Sequence, residues 1–389
     1  NKKDEKRLIS EGNKKVVEAR LSDAKFFWDK DRSKNLIKQI ANLKTVKFYD
    51  KLGSIFDKTQ RIRQLAGLLS DDLNLNKEKI QIAASISKSD LCSDLVGEYP
   101  ELQGVMGKYF ALSQGFDEDV ANSVSEHYLP IGLTSPVPKK PFSYSISIVD
   151  RIDTLVGFFV IEEKPTSSKD PFALRRSAIG LLRIIIENKL IFKLRELISY
   201  SIRLYEQQEV EIKNDKTEQQ ILSFIKERMR NILKEKKVKF DIIEASINSH
   251  VGDNFLDLYK KTILMNKHIN KEIGMNAINS YKRAANILDK SKKNISGRPD
   301  AVLFRKDEEK ELYKTINEIR KAFTVKESNK DYEDLLVKLS HTKQSTDNFF
   351  NNVVVNDENQ DIKNNRLELL KMYCNTFDSF IDFSKLEGL

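Results

Sequence analysis

The stretch that most constrains the fold of this chain reads Pro165-Thr-Ser-Ser-Lys-Asp-Pro-Phe-Ala-Leu-Arg-Arg-Ser-Ala-Ile-Gly-Leu-Leu-Arg183. It predicts a loop that turns sharply into a helix. Asp170 is a good N-cap residue, and Pro171 suits the first helical turn, where its missing N–H costs nothing. Apolar residues then recur at helical spacing from Leu174 to Ile185 and form one stripe. The stretch therefore predicts an amphipathic helix that packs against a core.

Positive charge surrounds the start of this helix. Arg175, Arg176 and Arg183 fall largely outside the apolar stripe, and Lys169 lies just before the helix. A helix N-terminus carries partial positive charge and free N–H groups, so these cations predict a corner that binds phosphate. The alternative is a cluster of ion pairs within the chain, with Asp170, Glu162 or Glu163 as partners.

The composition favours long helices over sheets. The chain has 389 residues with only 14 glycines and 8 prolines, and Lys, Glu, Leu, Ile and Asn dominate. This length predicts roughly two or three domains. The net charge of +9, from 67 basic and 58 acidic residues, is compatible with nucleic-acid binding but does not establish it.

Cysteine usage and hydropathy indicate a reducing compartment. Cys92 and Cys374 lie far apart and predict neither a disulfide framework nor a zinc site. No apolar run approaches the roughly 20 residues that span a bilayer, and the start of the chain has no signal-peptide pattern. These features predict a cytoplasmic protein without a membrane segment.

Two parts of the chain independently resemble one protein family. Pro165–Arg183 resembles a segment of the beta subunit of the bacterial heterotetrameric glycyl-tRNA synthetase. The carboxyl end is similar to the end of that subunit's anticodon-binding domain, at Phe349–Asn356, Asn365–Leu367 and Asp382–Leu386. Further resemblances lie at Glu126–Pro130, Asp150–Gly157 and Lys282–Asn286. Because these matches follow the family's order, the chain resembles the carboxyl-terminal portion of the subunit.

The resemblance implies an all-α fold in three parts. They are an HD-like helical domain over residues 1–190, a helical connector over 191–275, and a DALR-like anticodon-binding helical bundle over 276–389. The chain begins at Asn1 in a charged segment, so the resemblance also implies that an amino-terminal portion of the native subunit is missing.

The resemblance further implies tRNA recognition within glycine–tRNA ligase. The enzyme joins glycine to its tRNA with ATP and Mg²⁺, and both adenylation and transfer are implied to occur on the alpha subunit. This chain has no Gly-rich phosphate loop of the Walker or dinucleotide type, so no cofactor and no catalytic residue is expected in it. The implied partners are glycine tRNA and the alpha subunit, in an assembly of two alpha and two beta chains.

The candidate tRNA-binding residues lie in the last part of the chain. They are Lys282, Arg283, Lys290, Phe349, Asn352 and Arg366. Single-stranded RNA is read by stacking on aromatic or Arg side chains and by polar groups that face base edges. Lys292 and Lys293 extend the basic segment that begins at Lys282.

Some of these assignments have structural alternatives. Phe349 also suits a core position, and Arg366 equally suits a salt bridge within the bundle. At the earlier basic corner, Lys169, Arg175 and Arg176 are candidates for contact with the tRNA backbone or with the alpha subunit.

An HD-like domain raises the question of a metal-dependent phosphohydrolase. Such enzymes need several imidazoles and carboxylates that converge on one point. Of the four histidines only His127 lies in this region, and Lys88-Ser89-Asp90 stands where a His-Asp pair is expected. With Asp150, these residues make a poor metal site, so no metal is predicted. A stand-alone HD phosphohydrolase is the second hypothesis, and the carboxyl half of another synthetase, such as the arginyl enzyme, is the third.

Overall fold

Helices dominate the structure, a computed structural model. It describes residues 8–132, 134–166, 169–249, 252–291, 295, 297–325 and 331–386. Apart from a two-stranded antiparallel ribbon, the regular elements in this part of the chain are helices, which confirms the all-α prediction. The chain divides into two compact units, residues 1–225 and 226–389. The finer division at residues 190 and 275 stays a prediction.

The first unit is built around one apolar helix, α8. Its elements are α1 (Leu8–Asp31), α2 (Leu36–Gln39), β1 (Lys47–Tyr49), β2 (Gly53–Ser54), α3 (Ile55–Leu73), α4 (Lys77–Ile86), α5 (Asp94–Glu98), α6 (Val105–Ser113), α7 (Glu118–Glu126), α8 (Pro141–Val160), α9 (Leu174–Asn188) and α10 (Leu194–Gln207). Most side chains of α8 are buried, because α3, α7, α9 and α10 all pack against it. A helix that is apolar on most of its surface is stable only in such a position.

Gly157 marks a close helix contact in α8. The sequence pattern predicts that this helix ends near Gly157, but it continues to Val160. The hydroxyl of Tyr205 on α10 lies where a Cβ at residue 157 would be. Glycine therefore allows α10 to approach α8, and it does not terminate the helix.

The predicted cap at the start of α9 is present, but the helix begins later than Pro171. The Asp170 carboxylate accepts hydrogen bonds from the backbone N–H groups of Leu174 (2.8 Å) and Arg175 (3.0 Å). Ala173 has a φ of +55°, so the chain turns through the left-handed region before the first helical residue. Asp170 lies four residues before the start of α9, and its side chain accepts hydrogen bonds from the first N–H groups of the helix, as an N-cap side chain does.

The second unit contains a helical bundle at its carboxyl end. The boundary between the units falls within α11 (Thr217–Glu235), and the remaining helices are α12 (Phe240–Ser249), α13 (Phe255–His268), α14 (Glu272–Ser291), α15 (Asp307–Phe323), α16 (Tyr332–Asn352) and α17 (Gln360–Asp378). Helices α14 and α15 each pack against α16 and α17. Among the described residues, none of the helices combines the length and apolar character that a membrane span requires.

Candidate nucleic-acid interface

Helix α14 presents three of the predicted cations. Arg283 and Lys290 are exposed, and Lys282 is half-buried. The Arg283 guanidinium donates a hydrogen bond to Asp347 on α16 (3.0 Å) and lies 4.6 Å from the ring centre of Phe350. This arrangement holds Arg283 in place while its side chain remains 43% exposed. Lys292 and Lys293 lie outside the described residues.

Phe349 and Phe350 are adjacent near the end of α16, but they lie in different environments. Phe349 is 0% exposed and packs edge-to-face against Phe350, with ring centres 5.2 Å apart. Phe349 thus occupies a core position, the alternative that the sequence leaves open, and its ring is not exposed for stacking on RNA. Phe350 is half-buried and carries Arg283 over its ring. Asn352 is exposed, and its amide nitrogen donates to the carbonyl of Asn348 (3.0 Å).

Arg366 also lies inside the bundle. Its guanidinium donates to Glu309 (2.8 Å), to Asp357 (2.7 Å) and to the carbonyl oxygen of Val354 (2.9 Å). Its side chain is 5% exposed, and that of Glu309 is 0% exposed. The alternative of a salt bridge within the bundle is therefore the arrangement present, and Arg366 is not on the surface that RNA would meet.

Two clefts lie on the surface of the bundle. One, of about 660 Å³, lies between α14 and α16 and is lined by Asn276, Ser340, His341, Lys343, Gln344, Asp347 and Asn348. The other, of about 430 Å³, lies between the 297–299 segment, α15 and α17. Three cations line the second cleft, Arg298, Arg320 and Lys371. Sequence reasoning missed it because the three residues come from separate elements and no local pattern joins them.

The basic corner at the start of α9 is open to solvent. Lys169 and Arg176 are exposed, and the Arg175 guanidinium donates to the backbone carbonyl of Thr166. The carboxylates considered as ion-pair partners have other contacts. Glu162 pairs with Lys164 (3.3 Å), and Glu163 pairs with Lys51 (3.4 Å). The corner is thus positively charged, as the sequence indicates, and its partner stays a prediction.

Comparison with known proteins identifies the family of this chain. The family model for the glycyl-tRNA synthetase beta subunit matches residues 1–248. The model for the DALR anticodon binding domain matches residues 277–384. The chain belongs to the glycyl-tRNA synthetase beta subunit family.

Curated relatives agree with this family assignment. The glycine–tRNA ligase beta subunit of Rickettsia prowazekii (strain Madrid E) is 38% identical over 379 residues, which cover 97% of this chain and 54% of the relative. That of Rickettsia canadensis (strain McKiel) is 39% identical over 382 residues, covering 97% and 55%. The chain therefore spans about half the length of the relatives it matches.

Within this family, the anticodon-binding match covers the helices that carry both clefts. It begins in α14 and continues beyond the end of α17. The exposed cations of α14 and the cations of the 430 Å³ cleft thus belong to the domain that the family model associates with anticodon binding.

The charged residues buried in the first unit do not suit a metal. The two oxygens of Asp150 are 2.8 Å from the ammonium of Lys58 and 3.0 Å from that of Lys88. Burial alone would raise the pKa of Asp150, but these two ammonium groups hold it below its usual range. Burial lowers the pKa of His127 to about 3, so its ring is neutral. Among the described residues, no three His, Cys, Asp or Glu side chains are grouped as metal ligands. The carboxylate of Asp150 is therefore already paired with Lys58 and Lys88 and is not available as a metal ligand.

Proposed function

We propose that this chain is the tRNA-binding part of a glycine–tRNA ligase beta subunit. It recognises glycine tRNA through the bundle of α14 to α17, in the cytoplasm. Adenylation of glycine with ATP and Mg²⁺, and transfer to the tRNA, occur on the alpha subunit. The working enzyme contains two alpha and two beta chains.

The observation that carries this proposal is the anticodon-binding match over residues 277–384. The surface of that region supports it, because Lys290 and Arg283 are exposed on α14. Lys290 forms no ion pair with any residue that the structure describes. Such a cation is available to a phosphate, and phosphate contacts supply much of the affinity of proteins for nucleic acids.

The first test concerns the RNA surface. We expect Lys290→Ala to weaken binding of this chain to glycine tRNA and to reduce the slope of log K against log salt by about one. Lys310→Ala is a matched control, because Lys310 is an exposed lysine of the bundle that is already paired with Asp307 at 2.9 Å. Equal effects of the two substitutions would contradict a specific role for α14.

The second test concerns the division of labour between subunits. Glycine-dependent exchange of pyrophosphate into ATP reports adenylation alone. We expect this exchange from the alpha subunit and none from this chain by itself. Exchange catalysed by this chain alone would overturn the assignment of the chemistry to the alpha subunit.

A further inference from the structure

The 430 Å³ cleft of the bundle has the size of a small-ligand site. Its wall includes polar and charged side chains from the 297–299 segment, α15 and α17, namely Arg298, Tyr313, Asn317, Arg320, Lys371 and Asn375. This composition differs from the apolar lining of a typical drug-like pocket, and it favours a polar, anionic ligand.

The cations of the cleft are not neutralised by local ion pairs. Arg298, Arg320 and Lys371 form no ion pair with any described residue. Two carboxylates lie near these cations without forming an ion pair with them: that of Glu368 lies close to Gly297, and that of Asp378 interacts electrostatically with Lys371. Positive charges in one concave site raise the local potential and stabilise an anion there. A phosphate group fits this requirement, since guanidinium groups donate to it in pairs.

The same cleft offers groups that suit a nucleobase. The Asn317 amide nitrogen donates to the carbonyl of Tyr313 (2.9 Å), which leaves the amide oxygen as an acceptor. The exposed Asn375 side chain has no hydrogen bond to any described residue, so it offers both a donor and an acceptor. Tyr313 is half-buried, and its ring is held edge-to-face by Phe304 with centres 5.3 Å apart. RNA-binding proteins commonly hold an unstacked base by stacking it on an aromatic ring and by hydrogen bonds from polar side chains to its edges.

We propose that this cleft binds one unstacked nucleotide of a single-stranded RNA loop. Its phosphates lie against Arg298, Arg320 and Lys371, and its base lies between Tyr313 and the two asparagines. The proposal rests on the proposed function, because the RNA is the tRNA that the bundle binds. A free mononucleotide shares this chemistry, and the test separates the two sources.

The test measures binding of the whole chain to glycine tRNA by equilibrium titration. We expect Arg320→Ala to weaken binding about 10-fold and to reduce the salt slope by about one. Lys314→Ala is the matched control, because Lys314 is an exposed cation on the same helix but outside the cleft. Equal effects of the two substitutions would overturn the proposal.

Asn375→Ala tests reading of the base separately from the charge. We expect it to leave the salt slope unchanged and to reduce, by roughly 5-fold or more, the preference for glycine tRNA over a tRNA with altered anticodon bases. If the unsubstituted chain shows this preference and Asn375→Ala and Arg320→Ala do not alter binding, the cleft proposal fails and the proposed function stands. If the unsubstituted chain shows no preference, the proposed function itself fails.

A titration with cytidine 5′-monophosphate completes the test. We expect the mononucleotide to bind at least 100-fold more weakly than the tRNA, because it lacks the contacts that α14 makes with neighbouring phosphates. Binding as tight as that of the tRNA would identify a free nucleotide as the ligand and would overturn the RNA assignment.

Discussion

Arg366 and Arg283 belong to the same bundle but lie in opposite environments. Arg366 is buried and donates to Glu309, whose side chain is 0% exposed. Arg283 pairs with Asp347 at the surface, where both side chains are more than 40% exposed. Replacing each arginine by methionine removes one guanidinium and keeps a side chain of similar length. The two substitutions therefore compare a buried ion pair with an exposed one.

The expected magnitudes follow from burial. Removing one partner of a buried pair costs about 3–5 kcal/mol, because the other charge is left without compensation. Glu309 retains hydrogen bonds from the backbone N–H groups of Arg305 and Lys306, both at 2.7 Å, so we expect about 3 kcal/mol for Arg366→Met. An exposed pair contributes about 0.2–1 kcal/mol, so Arg283→Met should cost less than about 1 kcal/mol.

Urea unfolding followed by far-ultraviolet circular dichroism measures both values. We expect a much lower midpoint for Arg366→Met than for Arg283→Met, and we expect Glu309→Gln to restore part of the loss in the Arg366→Met background. tRNA binding should weaken for Arg283→Met under conditions where the protein stays folded. If Arg366→Met unfolds at the wild-type midpoint and loses tRNA binding, Arg366 is an RNA contact and the reasoning from burial is refuted.

Substitutions at three further residues test other parts of the structure. Asp150→Asn should cost about 3 kcal/mol in urea unfolding, because it removes the ion-pair partner of buried Lys88, whereas Lys58 keeps Asp153 at 3.1 Å. A cost below about 1 kcal/mol would contradict this. Asp170→Ala should cost about 1 kcal/mol through the loss of the α9 cap, with a smaller loss for Asp170→Asn; equal losses would argue against capping. Burial and the charge of Asp382 raise the pKa of Asp378 from 3.8 to about 6, so the native state binds more protons than the unfolded state between these values. The free energy of unfolding of the wild type should therefore fall, relative to that of Asp378→Asn, as the pH rises from 4 to 6. A difference between the two proteins that does not change with pH would contradict the raised pKa of Asp378.

Local sequence chemistry predicted several features of the structure well. Asp170 was expected to cap a helix, and its carboxylate accepts the first N–H groups of α9. The helix begins several residues later than the sequence predicts, because a left-handed residue at Ala173 has no sequence signature. The predicted end of α8 near Gly157 is wrong for a related reason. Its role depends on Tyr205, which lies on another helix and cannot be identified from local pattern.

The candidate site was less predictable than the fold. Phe349 and Phe350 are adjacent in sequence, and only their packing decides that Phe349 is buried while Phe350 supports Arg283. The 430 Å³ cleft joins Arg298 and Lys371, which lie on distant parts of the chain. Residues brought together only by tertiary packing leave no periodic signal, so sequence reasoning identified the basic helix and missed the cleft.

The most direct test of the central claim is a binding comparison between glycine tRNA and the same tRNA with its two anticodon cytosines replaced. The measurement belongs at two salt concentrations, because phosphate contacts alone give affinity that depends on salt but not on sequence. If the bundle reads the anticodon, we expect binding to weaken by about 1–3 kcal/mol for each replaced base. Equal affinity for the two tRNAs at both salt concentrations would contradict anticodon recognition by this bundle.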